Sequence, residues 1–171
     1  MDEVILVDTE DRELGQMEKL KAHQEGRLHR AFSVFIFNSK GEMLIHRRAL
    51  DKYHSAGLWS NTCCSHPQPG EPTAAAADRR LFEEMGMKAS LEHVTHIVYR
   101  ADFENGLIEH ELDHVFVGTS DSEPKANPEE VFQWRYVSAD ELLREVDENP
   151  EIFTYWFRLL YKDVLKSVLA N

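Results

Sequence analysis

The residues best suited to chemistry fall in three places. Glu109 and Glu111 stand two apart in an alternating stretch, and in an extended chain both carboxylates leave the same side, where a close pair can move a proton or hold a cation. Arg80, Glu83 and Glu84 are spaced three to four residues apart, so on a helix they form one charged face instead of a scatter. Cys63 and Cys64 are neighbours that close no useful loop; reduced thiols are expected, and Cys64 stands two residues before His66-Pro67. There are nine histidines, although a lone histidine is more often packed or solvated than a ligand.

Holding these groups together requires strands around a helix. Val4 to Val7 has the composition of a short strand. Leu28 to Asn38 has that of a longer one, closed by the turn Asn38-Ser39-Lys40-Gly41, with Glu42 to Arg47 as its hairpin partner. The segment before His23 reads as loop, and Asp51 to Gly70, which holds Trp59, both cysteines and two prolines, reads mostly as loop. Pro72 opens a helix that Gly86 ends, with Ala74, Ala77, Leu81 and Met85 as its buried stripe. Val94 to Ala101 and Ile108 to Val117 alternate like half-buried strands, and Val131 to Val137 is a further strand. Ser138-Ala139-Asp140-Glu141 is a capping box that starts a helix. A last helix, from about Ile152 to Leu169, carries Phe153, Trp156, Phe157 and Leu160 on one face. Strands enclosing a helix, with helices outside, give an α+β sandwich.

With 42% apolar and 10% aromatic residues, the 171-residue chain is an ordinary globular one, expected as a single domain over 1–171 and as a monomer. Its net charge of −12 opposes binding to nucleic acid or anionic membranes, so an anionic substrate needs a local basic cluster or a metal. No apolar run is long enough to span a bilayer, and Met1-Asp2-Glu3 lacks a basic leader; a cytoplasmic location is expected.

From Ser65 to Met87 the chain resembles the Nudix pattern G-x5-E-x7-R-E-U-x-E-E-x-G-U, with U apolar. Glu71, Arg79, Leu81, Glu83, Glu84, Gly86 and Met87 match it. Ser65 replaces its first glycine, and Arg80 stands where the pattern's hydrolases keep a metal-holding glutamate. Around this box the Cys64-Ser65-His66-Pro67 core, Lys19, His23, His29, Arg48, Tyr99, Glu109, Glu111 and Trp156 resemble, in order and spacing, the type 1 isopentenyl diphosphate isomerases. The interval from His23 to His29 is one residue shorter than in some members of that family.

The resemblance implies a Nudix-type α/β/α sandwich with a mixed sheet and additional N- and C-terminal elements. It implies an isomerase that moves a double bond of a small isoprenoid diphosphate by adding one proton and removing another, through a tertiary carbocation. Cys64 and Glu111 would be the acid and base, Tyr99 would assist Glu111, and Trp156 would lend its ring to the cation, an effect on the order of 2 kcal/mol when desolvated. In the family's mechanism Glu111 adds the proton and Cys64, as thiolate, removes the other, although the order can run in reverse. His23, His29, His66, Glu109 and Glu111 would hold one divalent metal, Mn²⁺, Zn²⁺ or Mg²⁺. A Mg²⁺ bound with the diphosphate would use Glu84 and the Cys64 carbonyl. Lys19, Arg48, Lys52 and Arg80 would bind the diphosphate, with Lys21 nearby, and Arg80 would offer phosphate a planar fork where a hydrolase offers metal a carboxylate. Cys63 is expected to be structural. His46, His54, His93, His96, His110 and His114 match no motif position and are expected to be structural or on the surface.

Overall fold

The computed structural model describes residues 2–169; Met1, Ala170 and Asn171 of the expected domain lie outside them. In chain order the elements are β1 (Glu3–Val7), β2 (Glu13–Glu18), α1 (Lys19–Glu25), β3 (His29–Phe37), β4 (Met43–Arg48), β5 (Trp59–Ser60), β6 (Cys63–Ser65), α2 (Thr73–Met85), β7 (Glu92–Asp102), β8 (Ile108–Thr119), β9 (Val131–Val137), α3 (Ala139–Glu148) and α4 (Tyr155–Leu169), with a 3-10 turn at Pro150–Ile152. Among the described residues no helix is long and apolar enough to cross a membrane.

Everything is arranged about β3, which is buried on both faces, as a strand with a parallel neighbour usually is. β8 runs parallel to it along its whole length, from His29 opposite Glu111 to Phe37 opposite Thr119. The other edge of β3 is shared in turn by β1 at Leu6, by β6 antiparallel at residues 32–34, and by β4 antiparallel at residues 36–37. β7 continues the sheet beyond β8, and β9 pairs with β4, so the sheet is mixed. Because side chains alternate across a strand, Phe32, Val34 and Ile36 pack against Ala76, Ala77, Leu81 and Met85 of α2. Phe35 and Phe37 face the other way, onto Leu142 and Val146 of α3 and Phe157, Leu160 and Tyr161 of α4. The result is a helix, sheet, helix sandwich. At roughly 1.5–3 kcal/mol for each fully buried large side chain, these two layers outweigh any surface ion pair.

Several elements differ from the expectation. The stretch before His23 is not loop: β2 pairs with β1 from Glu3/Glu18 to Val7/Glu13, and α1 follows directly. β2 has no apolar alternation to betray it, because its side chains are exposed or only partly covered. The 51–70 segment contains the two very short strands β5 and β6, too short for periodicity to show. In α2 the buried stripe is Ala76, Ala77, Leu81, Glu84 and Met85; Ala74 is exposed, since the helix is turned to put Glu84 inward. Gly86 ends α2 at φ 63°, and a Cβ there would come within 2.8 Å of the Lys125 carbonyl oxygen, so glycine is required twice over.

Candidate active site

The carboxylate pair is built by the sheet. β8 lies between β3 and β7, and the two registers put His29, Glu111 and Tyr99 in one cross-strand row. Tyr99 donates its hydroxyl to Glu111 Oε1 at 2.6 Å, while Glu111 Oε2 lies 3.0 Å from His66 Nε2 and 3.4 Å from His29 Nε2. Two residues back, on the same face, Glu109 Oε1 lies 3.2 Å from His23 Nε2 and 3.6 Å from His29 Nε2. His23, His29, His66, Glu109 and Glu111 thus bring one ligand atom each to within 4.8 Å of one another.

The cluster fits a divalent cation on several counts. His23 Nε2, His29 Nε2 and Glu109 Oε1 are buried and make no hydrogen bond, a costly condition that a shared cation relieves. The outer nitrogens of His23 and His29 contact main-chain oxygens, Lys19 O at 2.7 Å and Arg27 O at 2.9 Å, which fixes the proton on Nδ1 and turns the Nε2 lone pairs inward. Burial pushes His66 down to about 3, so it stays neutral and able to ligate, even with Glu111 beside it. Three imidazoles and two carboxylates form a mixed set suited to Zn²⁺, Mn²⁺ or Mg²⁺. Between His23 and His29 the chain leaves α1 through its C-terminal glycine, Gly26 at φ 68°.

Cys64 reaches the same cavity from β6, opposite Ser33 of β3. Its Sγ donates to Asn61 Oδ1 at 3.4 Å, and both N–H bonds of that amide are committed, to the carbonyls of Val34 at 3.0 Å and Cys63 at 2.9 Å. Asn61 can therefore only accept. Ser60 also donates to Asn61 Oδ1, at 2.9 Å, and its own oxygen receives Thr154 at 3.1 Å and Trp156 Nε1 at 3.0 Å. Trp156 Nε1 is also 3.3 Å from Cys64 Sγ. Burial pushes the Cys64 thiol up to about 12, with Arg48 pulling the other way, so the resting group carries its proton. Cys63 points to the opposite face and donates to the buried Glu84 Oε2 at 2.7 Å. Burial raises Glu84 despite Arg80.

Basic side chains line the same cavity. Lys19, Arg48, Lys52 and Arg80 line a space of about 550 Å³ together with Cys64, His66, Glu84, Tyr99, Glu109, Glu111 and Trp156. Arg48 lies with its guanidinium carbon 5.3 Å from the Trp156 ring centre, and Arg48 Nε and Arg80 Nε are buried without partners. Lys21 is turned elsewhere, 3.8 Å from Glu25, and does not line the cavity. Arg79 grips Glu71 with two bonds, Nε at 2.7 Å and Nη2 at 2.9 Å, and also Glu83 at 3.0 Å, so these matching box residues act as braces at the start of α2.

Sequence reasoning missed several lining residues, Glu130, Tyr53 and His54 among them. Glu130 pairs with Lys52 and stands 3.5 Å from Arg80, and it carried no motif. Tyr53 lies under Lys19, 5.3 Å from ring centre to Nζ. His54, expected to be a surface or structural histidine, sits 3.1 Å from Glu109 Oε2. A loop histidine beside a lysine and a tyrosine gives no spacing signal. The other unassigned histidines have ordinary partners: His46 contacts Asn61 O, His110 contacts Gly26 O, His93 contacts His114, which contacts Asp11, and His96 lies 5.6 Å from the His114 ring.

Comparison with known proteins shows the family. The family model described as NUDIX domain matches residues 27–157. The isopentenyl-diphosphate Delta-isomerase of Pectobacterium atrosepticum is 53% identical over 159 residues, 93% of this chain and 89% of that protein. The isopentenyl-diphosphate Delta-isomerase 2 of Aromatoleum aromaticum is 52% identical over 170 residues, 99% and 90% of the two chains. Among solved structures, the DR0079 protein of Deinococcus radiodurans superposes with a TM-score of 0.71 at 21% identity, covering 86% of this chain and 90% of its own, and so shares the fold.

Proposed function

The chain belongs to the Nudix family and, within it, to the isopentenyl-diphosphate Delta-isomerases, and from that premise we propose how its residues divide the work. The enzyme interconverts isopentenyl and dimethylallyl diphosphate. The observation that carries the residue assignment is that the Cys64 thiol and the Glu111 carboxylate, which accepts from Tyr99, line one cavity together with Lys19, Arg48, Lys52 and Arg80.

Lys19, Arg48, Lys52 and Arg80 bind the diphosphate, and Arg80 supplies a fork of donors where a hydrolytic metal cluster needs a carboxylate. The alkene then lies between Cys64 and Glu111. Cys64 gives its proton to the terminal carbon, the positive charge falls on the tertiary carbon, and Glu111 takes a proton from the neighbouring methylene as the internal double bond forms. Turnover in the other direction exchanges the two roles, and the proton returns from Glu111 to Cys64 before the next cycle. This order is the reverse of the one the resemblance implies; it starts from a thiol that donates to Asn61 Oδ1 and a Glu111 that accepts from Tyr99. Trp156, anchored through Nε1, presents its ring to the cation. A divalent cation on His23, His29, His66, Glu109 and Glu111 would restrain Glu111 and tune its acidity, and Mg²⁺ on Glu84 and the Cys64 carbonyl would neutralise the diphosphate. Two free thiols support a reducing, cytoplasmic setting, and the net charge of −12 favours a small anion drawn to a local basic cluster over nucleic acid or membrane. We read the chain as one domain acting as a monomer.

Incubation with isopentenyl diphosphate and Mg²⁺ in D₂O, followed by NMR, tests this reading. Deuterium is expected in a methyl group as the double bond moves, and phosphate or pyrophosphate release without that shift would overturn it. Cys64→Ala and Glu111→Gln should each slow turnover by roughly 10²–10⁴-fold and still bind pyrophosphate. A near-normal rate in either removes the acid/base pair.

A further inference from the structure

We propose that His54 is a positioning residue that fixes Glu109 as a one-oxygen ligand of the divalent cation. The two oxygens of Glu109 have different surroundings. Oε1 is buried without a hydrogen bond and faces His23 and His29, whereas Oε2 lies 3.1 Å from His54 Nε2. A carboxylate with neither oxygen held can swing to chelate through both or turn away from the cluster. A ring N–H on Oε2 forbids both movements, and it is in place before any cation arrives.

The ring of His54 is itself held on several sides. It stacks on Phe103 with centroids 4.9 Å apart and planes 7° from parallel, and Tyr53 meets it edge-on at 5.0 Å. Its Nδ1 is 3.3 Å from Ser55 Oγ, whose hydroxyl can donate there and leave the ring proton on Nε2 for Glu109. The side chain is only 6% exposed. The main-chain oxygen of the same residue accepts from Arg48 Nη2 at 3.3 Å, and the ring meets Trp156 at right angles with centroids 6.0 Å apart. One residue of the β4–β5 loop therefore touches the metal cluster, the diphosphate end and the aromatic wall.

This inference rests on the metal reading of the cluster. The test measures Mn²⁺ and Zn²⁺ affinity of the full chain by competition with a chromophoric chelator. His54→Ala and His54→Phe, the latter filling the space without a donor, should each weaken binding by roughly 10–100-fold, and His54→Gln, whose amide N–H reaches the place of Nε2, should recover most of it. Melting of the metal-free variants by circular dichroism identifies any that fail to fold, and the Gln and Phe pair then decides the question. Wild-type affinity in His54→Phe overturns this inference alone. Equal weakness in His54→Gln and His54→Phe overturns it in favour of direct ligation by His54. A wild-type chain with no tight site overturns both it and the metal reading.

Discussion

Two adjacent cysteines are sent to opposite faces by the strand they share, and their surroundings differ accordingly. Cys63 is sealed between β3 and α2, where its S–H is a hydrogen-bond donor to Glu84 Oε2. Removing it with Cys63→Ala strands an acceptor in a dry place, at a cost of about 1–3 kcal/mol, whereas Cys63→Ser keeps the donor. The expected outcome is a lower melting temperature for the alanine variant, with the serine variant recovering part of it; equal melting of the alanine variant and wild type would contradict the role. His46 offers a pH signature. Burial lowers it from 6.5 to about 4, where its Nδ1 meets Asn61 O at 2.6 Å. An unfolded chain takes up a proton there below pH 6.5 and the folded one does not. The stability tied to His46 is thus full above 6.5 and is lost as pH falls toward 4, up to roughly 3 kcal/mol. Denaturant melts of wild type and His46→Asn across that window should converge as the pH drops; parallel curves would refute it.

Elements differ in how legible they are. β3, β8, α2 and α4 announce themselves because long buried faces force an apolar period on the sequence. β2 and α1 do not: α1 is seven residues long and buries only Ala22 and His23, so its reason for being helical lies in what His23 must reach. The same logic explains the site. Glu109 and Glu111 were visible as a pair because strand alternation is local, and Cys64 and His66 through the resemblance, whereas His54 and Glu130 act through contacts that span loops and leave no local period. Gly26 is the joint between α1 and β3. It has φ 68°, and a Cβ there would come 3.0 Å from the Ile108 side chain. Gly26→Ala should cost about 1 kcal/mol or more in stability and also weaken metal affinity, because His23 lies one turn before it and His29 begins the next strand. An unchanged chelator competition would show the joint to be slack.

For the whole molecule, the five residues that could hold a cation come from α1, β3, the segment after β6, and β8, so an ion bound there would tie together segments far apart in the chain. A ligand held only by the folded state at 100 times its Kd adds about 2.7 kcal/mol, or roughly 5–10 °C in melting temperature for a chain of this size. Scanning calorimetry with and without a chelator should show that interval, and superimposable melts would remove the cation from the stability of the fold. The parallel pairing of β3 with β8 has a consequence in time. Ser33 and Asp113, joined across it at 2.7 Å, are 80 residues apart in sequence, and such contacts form late because a long loop must close first. During synthesis, the three histidines and both thiols emerge well before the two glutamates. The unfinished chain owns only the imidazoles of the proposed cage, so an ion held by all five residues would have to wait until the central strands have met.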